Sequence, residues 1–248
     1  MKIKVARATI PARLFQRVAN MALAGQGAIT IWQDVRPEAR ADFFEWHNRE
    51  HIPERVSIPG FLRGRRWAAI EGAPEMFTLY ETAGPEVHTG ADYLARLNDP
   101  TPLTKRVAPN MVNNVRSLCR VVFSTGNGRG GMVATYRYDV VAGKEEAQLA
   151  LLTGQILPML AKRPGIAGVH LCLADSAASS VQPEEKKSRP QQARVPTWVI
   201  LVEGNAGREI LDGACREMLR DDVLQATGAV TIERGIYQLQ FEWTHAEQ

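Results

Sequence analysis

The chain has 248 residues, 45% of them apolar, enough for one large domain or two ordinary ones with a packed core. Thirty Lys and Arg against 27 Asp and Glu leave a net charge of +3, too little for the basic stripe that a phosphate backbone requires, so nucleic acid is a poor candidate partner. Cys119, Cys172 and Cys215 are odd in number and widely spaced, which argues against a disulfide framework or structural zinc and for a reducing cytoplasm, and no apolar run approaches the roughly 18 residues that cross a bilayer.

Residues 1–25 read as a basic leader, with Lys2, Lys4, Arg7, Arg13 and Arg17 and no acidic residue before Ala24. Three readings of it stay open: translation beginning at Met21, a surface helix, or a disordered tail. The first folded segment, 26–124, then has a strand over Ala28–Asp34, a helix from Pro37 to His51, and strands over Phe61–Ile70 and Met76–Glu81. A helix at Ala91–Leu97 and a strand at Val115–Phe123 complete a βαββαβ order. Residues 125–131 are a Gly-rich connector. They contain a formal Gly126-x-Gly128-x-x-Gly131 fingerprint, but the strand-like alternation of Met132–Tyr138 follows it where a dinucleotide site needs a helix. The second segment, 132–245, repeats the order, with strands at Met132–Val141, Val169–Ala174, Trp198–Glu203 and Ile232–Trp243 and helices at Lys144–Ala161 and Ala206–Leu219. Its residues 176–194 are rich in Ser, Ala, Pro, Gln, Lys and Glu and read as a solvated, mobile hairpin loop.

The two segments share a motif as well as an order. His51-Ile-Pro-Glu-Arg-Val-Ser-Ile-Pro-Gly-Phe61 aligns with Ile156-Leu-Pro-Met-Leu-Ala-Lys-Arg-Pro-Gly-Ile166, placing Pro53 on Pro158, Pro59 on Pro164 and Gly60 on Gly165. One βαββαβ copy has a sheet with helices on one face and needs cover for the other, which a second sheet supplies. The expected fold is α+β: two fused ferredoxin-like βαββαβ repeats forming a pseudo-dimeric α/β barrel, with further homodimerisation left open.

The run from Phe43 to Trp67, with Trp46, Glu50-His51-Ile-Pro53, the Pro59-Gly60-Phe61 turn and the Arg-bearing strand behind it, resembles the signature of the dimeric α/β barrel superfamily in its EthD-like branch. The resemblance covers the first copy well and the second only in its framework. It implies the fold, whereas the superfamily's reactions range over cofactor-independent monooxygenases, isomerases, decarboxylases, haem enzymes and plain ligand binders.

The residues themselves carry a second line of inference. His47 and His51 are four apart and share a helix face, with Arg55 one turn on. Pro53 deep in an α-helix would clash with the carbonyl of Arg49, so the helix is expected to end or kink near His51. A helix C-terminus, with Glu50 or Glu54 nearby, would then raise the proton affinity of His51. The equivalents of His47, Glu50, His51 and Arg55 in the second copy are Leu152, Gln155, Ile156 and Leu160. The charged set is therefore dispensable for folding, although a solvated ion-pair cluster is the plainer alternative. Strand parity puts Arg63, Arg65 and Trp67 on one face and Arg66 on the other, without deciding which face is inward. His47-x(3)-His51 also has metal-ligand spacing, with Glu54 the nearest third donor. No full ligand set and no axial haem ligand is evident, so no metal or cofactor is assigned.

These residues predict an acid/base enzyme (isomerase, lyase or monooxygenase type), independent of cofactors. Its partner is a small hydrophobic or aromatic molecule. His51 is the expected catalytic residue, assisted by His47 and Glu50. Arg55, Arg65, Arg66, Trp67, Trp32 and Tyr80 are the expected substrate-binding residues. The alternatives are a non-catalytic ligand-binding or stress-type barrel and a metal- or haem-dependent protein.

Overall fold

The computed structural model describes residues 22–180, 183–187, 190 and 193–244. Strand β1 (Gly27–Val35) leads into helix α1 (Arg40–Trp46), a π turn (His47–His51) and α2 (Ile52–Val56). Strands β2 (Phe61–Gly72) and β3 (Met76–Thr82) follow, then α3 (Ala91–Asn98), α4 (Pro102–Val107) and β4 (Met111–Gly126). The order recurs as β5 (Met132–Val140), α5 (Glu145–Leu151), a π turn (Leu152–Ile156), α6 (Leu157–Leu160) and β6 (Ile166–Ala174). After α7 (Ser176–Ser180) and α8 (Glu184–Lys187) come β7 (Trp198–Gly204), α9 (Arg208–Met218), α10 (Asp221–Ala226) and β8 (Ala229–Thr244). Among the described residues no helix is long and apolar enough to cross a membrane.

The chain divides into two compact units. The first holds the described residues of 24–120, 174–195 and 237–248, and the second those of 1–23, 121–173 and 196–236. In the first unit the strands run antiparallel in the order β4-β1-β3-β2. Two rungs of this sheet carry the site: Leu118, Ile29, Tyr80 and Gly64 lie side by side, and next to them Arg116, Ile31, Thr78 and Arg66. Side chains along a strand alternate between faces, so these rungs share the face on which α2 packs. Gly64 makes that close approach possible, since a Cβ there would stand 2.8 Å from Ile52 Cγ2 and 3.0 Å from Tyr80. Ile52, Val56, Phe61, Tyr80, Tyr93 and Leu118 form one apolar cluster on it. In the second unit β8, β5, β7 and β6 are neighbours in that order, and Leu152, Ile156, Leu157 and Leu160 are buried in one apolar cluster.

One expectation is corrected. The first helix does not end at His51 but continues to Val56, because the π turn lets the amide of Ile52 bond to the carbonyl of His47, five residues back. This wider loop of backbone makes room for Pro53, which an α ladder would have excluded. Leu157 bonds to Leu152 in the same way ahead of Pro158. The premise of a helix terminus at His51 therefore does not hold.

Described residues in and beside 176–194 bond to β4 within the first unit. Asp175 N–H donates to the Leu118 carbonyl (2.8 Å), Ser179 Oγ accepts from Leu118 N–H (2.9 Å), and Arg194 exchanges backbone bonds with Asn114 and Arg116 at 3.0 and 2.9 Å. Residues 1–21 of the leader segment lie outside the described residues. Leu23 is buried and its amide donates to Ser124 Oγ (3.2 Å), while that of Ala24 donates to Glu81 Oε2 (2.7 Å).

Candidate active site

The π turn brings His47 and His51 into a parallel stack, with ring centroids 5.7 Å apart. Trp46 lies 4.1 Å from His51 and 5.4 Å from His47, and Phe43 stacks on His47 at 4.9 Å. Both imidazoles are buried, yet they meet different neighbours. His47 Nδ1 is 3.1 Å from Arg66 Nη1. A guanidinium has only donors, so Nδ1 accepts and, in the neutral ring, the proton sits on Nε2. Arg66 also donates to Asn48 Oδ1 (2.7 Å) and packs on Phe44 at 4.8 Å. Burial pulls its pKa down to about 10.

His51 instead faces a small cavity. With Arg55, Tyr80, Tyr93, Arg116 and Glu185 it lines a partly open space of about 20 Å3, flanked by Ile31 and Leu97. That is room for a single water molecule, far below the roughly 300–1,000 Å3 of a small-molecule pocket, and a haem-sized group does not fit it as it stands. Tyr80 meets the His51 ring edge-on at 6.5 Å. Arg55 Nη2 is bonded to Glu185, and its guanidinium lies 5.9 Å over Tyr93. Burial opposes the charge on Arg55, but Glu185, Tyr93 and Glu54 outweigh it and raise the pKa above the ordinary arginine value. Glu54, at the cavity's outer edge, is shifted up by burial, with Arg55 pulling the other way.

The remaining predicted residues lie elsewhere. Glu50 accepts from the hydroxyl of Thr101, which caps α4, and Thr104 beside that cap accepts from Trp46 Nε1 (2.9 Å). Glu50 thus braces α4 against the aromatic stack. Trp32 and Trp67 pair with Phe77 across the sheet and stack on it at 4.7 and 5.2 Å, on the face opposite Tyr80. Arg65 shares that opposite face. With Arg63 it grips the buried Glu81, through Arg63 Nε–Oε1 at 2.8 Å, Arg63 Nη2–Oε2 at 2.6 Å and Arg65 Nε–Oε1 at 3.1 Å. Burial raises the Glu81 pKa, but Arg65 and Arg63 overcome it and hold the carboxyl below its usual range.

Arg116, Tyr93 and Glu185 join the cavity without having been singled out in the sequence. Arg116 had a weak signal available: it is one of two cations in its strand, with Arg120, and it is in phase with the apolar Leu118. The three cysteines are buried and form no disulfide among the described residues, with burial pushing Cys119 and Cys215 up to about 12. Among the described residues no group of three or more His, Cys, Asp and Glu side chains is placed to hold a metal ion.

No family model and no curated protein sequence matches the chain. Solved structures do. An anthrone oxidase-like protein superimposes with a TM-score of 0.55 at 12% identity, over 92% of this chain and 96% of that one. Two proteins named as "putative monooxygenase" follow at 9% identity. The one from Lactobacillus acidophilus NCFM has a TM-score of 0.55, over 88% of this chain and 96% of its own, and the one from Fusobacterium nucleatum subsp. nucleatum ATCC 25586 has 0.54, over 91% and 98%. The fold is that of the dimeric α/β barrel. At such low identity the likeness speaks for the fold alone, and the expected α+β class stands on it.

Proposed function

We propose that the chain is a cofactor-independent acid/base enzyme of the EthD-like branch, built by tandem duplication, in which His51 moves a proton on a small hydrophobic or aromatic substrate. One observation carries this reading. The two π-turn helices have the same backbone, but Leu152, Ile156 and Leu160 fill one with hydrocarbon, whereas His47, His51 and Arg55 occupy the same positions in the other. Buried charges contribute less to stability than well-packed apolar residues of similar volume, so a fold that already has the apolar solution gains nothing by the charged one.

The first step, common to isomerisation, elimination and oxygenation of a carbanion, transfers a proton from a substrate carbon to the His51 imidazole. Charge then develops on a substrate oxygen, and Arg55 and Arg116 are the cations within the same cavity to stabilise it. The Tyr80 ring sets the wall opposite His51. His47, fixed by Arg66, acts as a positioning residue through the ring stack, and Glu50 through α4. Buried cysteines without a disulfide agree with a reducing, cytoplasmic setting.

A second reading, a non-catalytic binding protein, draws on the small volume of the cavity. Hydrogen–deuterium exchange separates the two. Purified chain in D2O with a panel of small aromatic ketones and phenols should exchange an acidic C–H, followed by proton NMR, and His51→Gln should slow this at least ~100-fold. His47→Ala should slow it less. Exchange at the wild-type rate in His51→Gln, or none above buffer in the wild type, overturns the enzyme reading.

A further inference from the structure

Two buried guanidiniums face the cavity, and they are served unequally. Arg55 is 3% exposed and Arg116 6%. Arg55 has Glu185 on Nη2 and Glu54 Oε2 at 3.4 Å from Nη1. Arg116 Nη2 donates to the Tyr93 hydroxyl at 2.8 Å, but its buried Nη1 has no hydrogen-bond partner among the described residues. An idle donor on a buried cation is costly. A guanidinium finds its best partner in a carboxylate, whose two oxygens match its paired N–H groups.

One carboxylate is already inside, and its origin matters. Glu185 belongs to α8, part of the segment inserted between β6 and β7, whereas β2 and β3 are joined by the three residues 73–75. α8 packs against α3, and its carboxylate reaches back over the cavity to Arg55. Glu185 is itself buried. A side chain from a local insertion therefore holds the position in which an incoming anion would meet Arg55, while among the described residues no carboxylate bonds to Arg116.

We propose that the ligand of this cavity is a small aromatic carboxylate, bound by Arg116 and Arg55 beside His51, and that Glu185 is an internal latch that the ligand's carboxylate replaces. This deepens the proton-transfer reading and rests on it for the identity of the site. The latch also accounts for the 20 Å3 volume: the cavity is narrow while Glu185 occupies Arg55, and widens as α8 swings out with its carboxylate.

Benzoate and its neutral isostere benzamide test this by calorimetry on the full chain. Benzoate should bind and benzamide should bind at least 10-fold more weakly. Glu185→Gln, which keeps the shape and removes the competing charge, should tighten benzoate at least 10-fold and leave benzamide unchanged. Arg116→Met should weaken benzoate at least 10-fold. Should Arg116→Met fail to fold, Glu185→Gln decides alone. Benzoate should also speed amide hydrogen exchange in α8. The proposal is overturned if benzamide matches benzoate, if neither the wild type nor Glu185→Gln binds benzoate, or if Glu185→Gln leaves benzoate affinity unchanged or lower. His51→Gln should retain benzoate binding within about 3-fold. Benzoate binding without any catalysed exchange leaves the anion site standing and removes the proton-transfer reading. Exchange that depends on His51 in a chain indifferent to benzoate does the reverse.

Discussion

Glu81 and Glu185 are both buried carboxylates bonded to arginine, and their settings separate a structural ion pair from a functional one. Glu81 is enclosed by Arg63, Arg65 and the Ala24 amide on the sheet face away from α2. Its partners among the described residues come from the local strands and the chain entering them, and it does not line the His51 cavity. Glu81→Gln is expected to lower stability by about 3–5 kcal/mol, since it leaves two buried guanidiniums short of charge. Urea denaturation measures this, and a loss below ~1 kcal/mol would show the triad to be dispensable. The same distinction explains what could be read from the residues alone. The Glu50-His51-Ile-Pro53 run pointed to the helix that borders the cavity and to His51 on its lining, because a cluster of titratable groups in one of two matched motifs is a local pattern. Trp32, Trp67 and Arg65 were grouped with His51 by residue type. Their placement depends on the register Trp32–Phe77–Trp67, which sends them to the far face, and register is a non-local property.

At the level of elements, the strands were legible because period-two alternation is strong when one face of a sheet is buried. The predicted Phe61–Ile70 and Met76–Glu81 differ from β2 and β3 by two residues and one. The helix carrying the site was not read correctly at its end. The rule that proline stops a helix assumes an α ladder, and the π turn, fixed by the Ile52–His47 and Leu157–Leu152 bonds, has no propensity signature. Gly60 and Gly165, with φ of +88° and +79°, were legible as the turn that ends each copy's helical segment, since that backbone favours a residue without Cβ. For the segment 176–194, polar composition reports solvation in isolation. It is silent about Ser179 meeting Leu118 or Glu185 meeting Arg55, contacts 61 and 130 residues apart in sequence.

At the level of the whole molecule, stability should depend on pH through a residue outside the cavity. His88 is buried with Nε2 2.8 Å from Thr82 Oγ1. Burial, reinforced by Arg116, holds its pKa down to about 3, against 6.5 for an ordinary histidine. Between those values the unfolded chain takes up a proton that the folded chain refuses. Stability is therefore intact above about pH 6.5 and falls as pH drops towards 3, by up to ~1.4 kcal/mol per pH unit. Tm measured from pH 7 to pH 4 should fall more steeply in the wild type than in His88→Gln, and equal slopes would contradict this. Arg116 thus links the acid sensitivity of the fold to the site, because the cation that lines the cavity also helps to keep His88 neutral.

A duplicated order of elements supports two kinds of filling beneath equivalent π turns, one apolar and one ionised, and the account stands on the ionised one being kept for chemistry. Replacing it with the residues of the other copy tests that directly: His51→Ile and Arg55→Leu, with Glu185→Leu so that no lone carboxylate remains buried. Denaturant unfolding of this triple variant should give a stability equal to the wild type or up to ~4 kcal/mol higher, with C–H exchange abolished. A folded variant that has lost more than ~3 kcal/mol would show that the charges hold the unit together, and would contradict the account.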